Sequence, residues 1–348
     1  MTRQTWTAFV SALVFVVLAV LLVALPVPFV TWSPGTAYNT LGSSAAEPSI
    51  EVEGITTYPT SGRLDLTVVS VTSADGRLSL PEALLAYWLP HRDALPREAV
   101  YARGKSADEV EREDADMMST AQDDAVVAAL RADDQPVTEM AAVYSVTVGG
   151  PAHKKLLPGD LVLSVDGVAT VDRDAVSGQI RTHKPGETVT FRVLRQRVET
   201  TVRVQAVNSA TEDGVPVVGI TITTGYRYEP KISFDLGQRI GGPSAGLVFA
   251  LAIYDKVTDG ALLAGRHVAG TGTITPEGTV GSIGGIQEKI AGAEDAGATA
   301  FLVPAGNCGD LRGVSTDMEL IKVGTLAEAI SALRALATPG GTDRLPRC

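Results

Sequence analysis

The stretch GGPSAG, Gly241 to Gly246, runs directly into LVFALAIYDKV, Leu247 to Val257. The apolar run has helical spacing, with Leu247, Ala250, Leu251 and Tyr254 recurring along one face. Ser244 therefore falls at or just before a helix N-terminus, where unpaired backbone N–H groups and the helix dipole favour negative charge. Two readings are open for it. Serine is a favoured N-cap, and the same place suits a nucleophile whose developing oxyanion needs stabilising.

Downstream lie a second glycine-containing motif, TGTIT from Thr271, and a third, GGIQEK from Gly284 to Lys289. Ile286, Ile290, Ala293 and Gly297 form one stripe of a helix, and Lys289 sits about 60° from its centre. A lysine there snorkels to water or points into a cleft with its ammonium partly desolvated. A serine hydroxyl is a weak nucleophile until a base removes its proton. The only histidine near these motifs is His267, at the start of a core strand. A lysine can serve as base if burial brings its pKa towards neutrality.

The 348 residues suffice for two domains beyond any targeting segment. A net charge of −11 argues against nucleic acid, which needs clustered Lys and Arg. His91, His153, His183 and His267 are scattered, without HExxH or CxxC, so neither a metal nor a cofactor is expected. Cys308 and Cys348 either pair or stay free.

No charge occurs between Arg3 and Glu47, and Ala8 to Leu25 is apolar except for Ser11. A helix crossing a hydrocarbon core needs about 20 such residues. Trp6 and Trp32 suit the two interfaces, and Arg3 places the N-terminus in the cytoplasm and the remainder outside it. PVPFVTW is too bulky for a signal-peptide cleavage site, which favours an uncleaved anchor over a secreted protein.

Beyond the anchor, SPGTAYNTLGSSAAEPS reads as a linker and Gly62–Thr72 as a strand. SLPEALLAYWLP is a helix capped by Ser79 and ended by Pro90, and Ser106 with Glu109 forms a capping box for a longer, initially acidic helix. This region offers no chemistry.

Residues 137–207 hold Gly150-Pro151-Ala152, Leu157-Pro158-Gly159-Asp160 and Val165-Asp166-Gly167, turn signals around short strands. This pattern resembles a PDZ domain of the bacterial type. The resemblance implies peptide binding by strand addition, with Ala142, Val143, Tyr144, Ser145 and Val146 as the expected docking strand.

GGPSAG, TGTIT and GGIQEK together resemble the proteolytic domain of Lon-type proteases (peptidase family S16). That resemblance implies Ser244 as nucleophile, Lys289 as general base and Thr271 as the residue positioning the lysine. Gly242, Pro243 and Ala245 frame the oxyanion site. The interval between serine and lysine fits the family. Gly241 stands where many Lon sequences have an acidic residue, and Thr273 where they have glutamate, which bears on substrate contacts and activation. No GxxxxGK[ST] occurs, so no ATP hydrolysis is expected. The order of the whole resembles membrane-anchored PDZ–Lon proteins.

The expected fold is thus α+β multidomain: transmembrane helix, β-rich PDZ domain with short helices, and Lon-type α/β proteolytic domain. The expected boundaries are a cytoplasmic tail 1–7, an anchor 8–30, a membrane-proximal α/β region 31–136 that is either separate or part of the protease fold, a PDZ domain 137–207, a protease domain 208–337 and a loose tail 338–348. The expected activity is ATP-independent serine endopeptidase action on protein or peptide substrates outside the cytoplasm. The alternative is an anchored, catalytically silent peptide-binding adaptor, against which the presence of both Ser244 and Lys289 counts. Phosphate binding at Gly241–Gly246 is disfavoured because no lysine follows the glycines.

Overall fold

The structure is a computed structural model that describes residues 3–42, 49–235, 240–338 and 340–348. Its principal helices are α1 (Arg3–Ala24), α2 (Leu80–Trp88), α3 (Ala107–Ala132), α4 (Arg173–Arg181), α5 (Gly246–Val257), α6 (Ile286–Asp295) and α7 (Leu326–Ala337). Its principal strands are β1 (Phe29–Asn39), β2 (Arg63–Val71), β3 (Asp93–Pro96), β4 (Thr138–Val146), β5 (Leu161–Val165), β6 (Thr188–Arg195), β7 (Val198–Gln205), β8 (Ile220–Arg227), β9 (His267–Gly270), β10 (Ala300–Pro304) and β11 (Glu319–Val323). The chain forms two units, Met1–Asp134 with Pro230–Cys348, and Gln135–Glu229.

The first unit is built on a six-stranded sheet in the order β11-β10-β9-β2-β1-β3. β2, β9, β10 and β11 run parallel, while β1 is antiparallel to both β2 and β3. β10, AFLVP, is buried along its whole length, as a continuous apolar run covered on both faces should be. α5 is buried on nearly every side and forms the central core helix. α3 packs on α5 through its apolar second half, Ala125–Leu130, and keeps its acidic first half towards solvent. Its N-terminus is closed by the Ser106–Glu109 capping box, with Ser106 N–H donating to Glu109 Oε2 at 2.9 Å.

The second unit is a sheet in the order β7-β6-β5-β4-β8, with α4 beside it. Its core gathers Val143, Val162, Val165, Phe191, Val193 and Val204.

Several expected boundaries are corrected. The strand β8 lies beyond residue 207 yet pairs with β4 from Thr138↔Arg227 to Ile220↔Val146, so the 208–337 division cuts through the second unit. The linker expected at residues 33–49 contains most of β1, and only residues 43–48 of it lie outside the described residues. The 31–136 region is not separate, because β1, β2 and β3 are half of the first unit's sheet. α1 ends at Ala24 rather than residue 30, and Pro26–Val27 pairs with Leu78–Ser79. Of the expected tail 1–7, Arg3–Thr7 belongs to α1, and Met1 and Thr2 lie outside the described residues. A short strand, Lys231–Asp235, pairs antiparallel with Ser49–Glu53. The 338–348 segment is tied down: Cys348 is disulfide-bonded to Cys308, and Lys322 N–H donates to Pro346 O at 2.8 Å. Pro339 alone of that segment lies outside the described residues.

Candidate active site

Ser244 sits in a single 3₁₀ turn, Pro243–Ala245, that leads into α5. Gly242 enters this turn at φ +81°, a left-handed conformation that favours glycine. Its N–H donates to Asp114 O of α3 at 3.2 Å. Gly246 lets the start of α5 close on Ile274, since a Cβ there would come within 2.8 Å of Ile274 Cγ2. The carbonyl of Ser244 accepts from Gly272 N–H at 2.8 Å and from Thr271 Oγ1 at 3.0 Å. The backbone of Ser244 is thus pinned between α5 and the 271–274 segment.

The capping reading of Ser244 is corrected. The residue at the N-cap of α5 is Ala245, which makes no side-chain cap bond. The hydroxyl of Ser244 instead accepts a hydrogen bond from Lys289 Nζ at 2.7 Å. Lys289 Nζ also donates to Thr271 Oγ1 at 3.1 Å.

Lys289 is only 2% exposed, so it does not snorkel. Burial of the ammonium lowers its pKa from 10.5 to about 8. Its helix, α6, begins at Gly285, which takes φ +68°, and Lys289 N–H closes the first turn on Gly285 O at 3.0 Å. A Cβ at Gly284 would lie 2.7 Å from Trp32 Cη2, and one at Gly292 2.7 Å from Gly35 O. These glycines let α6 lie directly on β1, which fixes the height of Lys289 above the sheet. Ile286, Ile290 and Ala293 are buried as expected, but Gly297 falls beyond the helix end and is exposed. Next to Lys289, burial pushes the Glu288 carboxyl up, and Asp93 of β3 adds to the effect.

The arrangement therefore joins a serine hydroxyl, a buried amine able to lose its proton near neutral pH, and a threonine hydroxyl holding both. Such a group can deprotonate the serine for attack on a carbonyl. Trp32, Gly35 and Asp114, which frame it, come from regions where the sequence showed no chemistry, and Trp32, expected at a membrane interface, is corrected: it lies within the sheet, paired with Val71 and Asp93, with its ring against Gly284 and Gly285. Pro34-Gly35 reads as a turn, and nothing local marks it as the floor beneath a helix 250 residues later.

The expected docking strand of the second unit is also corrected. Ala142, Val143, Ser145 and Val146 pair with β8 on one side, and Ala142 with Leu161 of β5 on the other. β4, which also carries Tyr144, is therefore interior, and the strand order ends at β8 and β7.

Residues 118–206 match the PDZ domain family model, and residues 239–335 match that of the Lon protease (S16) C-terminal proteolytic domain. Over 71 residues the chain is 46% identical to the Lon protease of Roseiflexus castenholzii, covering 20% of this chain and 9% of that one. Over 98 residues it is 43% identical to Lon protease 1 of Sorangium cellulosum, covering 26% and 11%. The chain thus spans about a tenth of the length of these relatives. The solved PDZ domain of the SdrC-like protein of Listeria monocytogenes is 26% identical, covers 24% of this chain and 87% of its own, and gives a TM-score of 0.23. α1 is long and apolar enough to cross a membrane by length and composition. A PDZ domain followed by a Lon-type (S16) proteolytic domain, behind one long apolar helix, fits a membrane-anchored PDZ–Lon protein.

Proposed function

We propose that this chain is a membrane-anchored serine endopeptidase that works without ATP through a Ser244–Lys289 dyad, with its active site outside the cytoplasm. The observation that carries the reading is the 2.7 Å contact between Lys289 Nζ and Ser244 Oγ in a site that lowers the lysine pKa to about 8.

In the reactive form Lys289 is neutral and the hydrogen bond reverses, so that Ser244 donates to Nζ. As Ser244 Oγ attacks a peptide carbonyl, its proton passes to Lys289. The ammonium then protonates the leaving amine, and an acyl-enzyme remains on Ser244. Lys289 next takes a proton from water, the hydroxide attacks the acyl carbon, and the proton returns to Ser244 Oγ. Thr271 accepts from Nζ and donates to Ser244 O, which sets the lysine's approach. Gly242 N–H is engaged by Asp114 and Pro243 has none, so the oxyanion falls to the N–H groups of Ser244 and Ala245.

The PDZ domain takes substrate or a regulatory peptide as an added strand on β8, which lies beside α4 at the end of the strand order. Titrating peptide should then slow amide exchange in residues 220–227 and leave the already paired residues 142–146 unchanged. Equal protection of both, or of neither, removes this part of the reading.

The activity is tested on fragment 26–348, which keeps β1 intact. An unstructured protein is offered to the wild type, Ser244→Ala and Lys289→Ala, with and without ATP. Cleavage by the wild type alone, indifferent to ATP, is expected. Its rate should rise about tenfold per pH unit until pH reaches about 8. Cleavage by both variants at the wild-type rate overturns the dyad, and no cleavage by the wild type favours the adaptor.

A further inference from the structure

We propose that α2 is a second membrane contact, a helix lying in the lipid interface beside the anchor; this rests on the reading that α1 spans the bilayer.

The amphipathicity of α2 is inverted. Its protein-facing side carries the small residues Ala83 and Ala86, both buried. The large apolar side chains point away: Leu84, Leu85, Tyr87 and Trp88 are all exposed, the last two at 73% and 72%. At 100° per residue, Leu84 and Trp88 fall near the middle of that outer face, with Leu85 and Tyr87 on either side. Surface helices of soluble proteins do the opposite, turning the large apolar residues inward. A cluster of this kind marks an interaction surface rather than scattered exposed leucines.

The position of α2 identifies the occupant. The residues just before it, Leu78 and Ser79, pair with Val27 and Pro26, two residues past the end of α1. The two chain segments are therefore one strand spacing apart, about 4.8 Å. α2 also packs against α1 itself. Its nine residues extend only about 13 Å. The patch is thus held at the level where the apolar anchor leaves the hydrocarbon, the level that favours tryptophan and tyrosine. A bilayer is already present there if α1 is inserted, whereas another protein would have to displace lipid to reach it.

The chemistry of the contact follows from its charges. The one ionisable acid on α2, Glu82, is turned back to accept from Ser79 N–H and Oγ at 2.8 and 2.7 Å. α2 itself carries no lysine or arginine. The helix is therefore held by apolar insertion and not by attraction to anionic headgroups.

The chain has three tryptophans, Trp6, Trp32 and Trp88, which makes the test direct. The full chain is reconstituted into zwitterionic phosphatidylcholine vesicles with bromine either high or deep on the acyl chains. Wild type, Trp88→Phe and Trp6→Phe are compared. The emission lost in Trp88→Phe should be quenched at least twofold by shallow bromine and less by deep bromine. If that component is unquenched while the Trp6 component is quenched, α1 is inserted and the proposal is wrong. If neither is quenched, the anchor reading fails and takes the proposal with it. Quenching of the Trp88 component that requires anionic lipid would overturn insertion by apolar contact.

Discussion

Replacing Lys289 by methionine isolates the energetic consequence of burying its ammonium. The fold lowers the lysine's pKa from 10.5 to about 8 through burial. Between these values the unfolded chain holds a proton that the folded protein has lost, so stability rises with pH across that window. Below about pH 8 the penalty is complete, about 3 kcal/mol at pH 7, and it falls to about 1 kcal/mol at pH 10. Methionine is unbranched, similar in length, and does not titrate. The stability of Lys289→Met relative to wild type should therefore fall by about 2–3 kcal/mol between pH 7 and pH 10. Other titrating groups are common to both proteins and cancel in this double difference, as does the loss of the bonds to Ser244 and Thr271. The assay is urea unfolding of fragment 26–348 followed by tryptophan fluorescence. Its two tryptophans, Trp32 and Trp88, both belong to the first unit, so the signal reports the unit that holds the site. A double difference near zero would mean that Lys289 is solvated in the native protein, and the case for a lysine base would go with it.

Thr271→Val removes the acceptor for Lys289 and the donor to Ser244 O, and should reduce kcat by about 10- to 100-fold; Thr271→Ser should restore most of it, and equal kcat for all three would refute the positioning role. Gly285→Ala forces alanine to φ +68° and brings a Cβ to 3.0 Å from Val69 and 3.1 Å from Trp32. It should cost about 1–3 kcal/mol in thermal unfolding and reduce kcat more than it raises KM, because α6 carries Lys289. Cys308→Ser with Cys348→Ser opens a bridge between residues 40 apart in sequence. The loss should be about 4 kcal/mol in the chain-entropy account, read as a lower Tm that reductant no longer changes, with cleavage retained below the transition.

What could be read beforehand was chemistry written in contiguous residues. Ser106 and Glu109 announce a helix start because the capping box is local, and the GGPSAG, TGTIT and QEK motifs placed the three contacting groups of the site within reach of inference. What escaped depends on partners distant in sequence. Pro34-Gly35 reads as a break, yet a Cβ at Gly35 would meet Val68 O at 2.6 Å, so glycine is there to let strands and helix close. The alternation in Ile220–Thr224 marks a strand, but nothing in it says that its partner is Thr138–Val146 rather than its sequence neighbours. The burial of Lys289 stays open in the sequence for the same reason: helical periodicity puts it at the edge of a stripe, where it can snorkel or turn into a cleft, and only the approach of α6 to β1 through Gly292 and Gly35 shuts water out.

The pairing of Thr138 with Arg227 has a consequence for how this protein can be taken apart. The unit from Gln135 to Glu229 begins and ends on neighbouring strands, so its two ends leave side by side. A segment of that kind can be inserted into a host, or removed from it, with little change in loop-closure entropy, which grows only slowly with loop length. The host, by contrast, cannot be separated from its own N-terminal half, since β2 lies between β9 and β1 in its sheet. A cut at residue 208 would sever β8 from β4 and leave the Ser244 segment without β1 and β2. A short bridge from Asp134 to Pro230 would leave every strand of that six-stranded sheet in place, yielding the first unit alone, on which the proposed cleavage can be measured with and without the second.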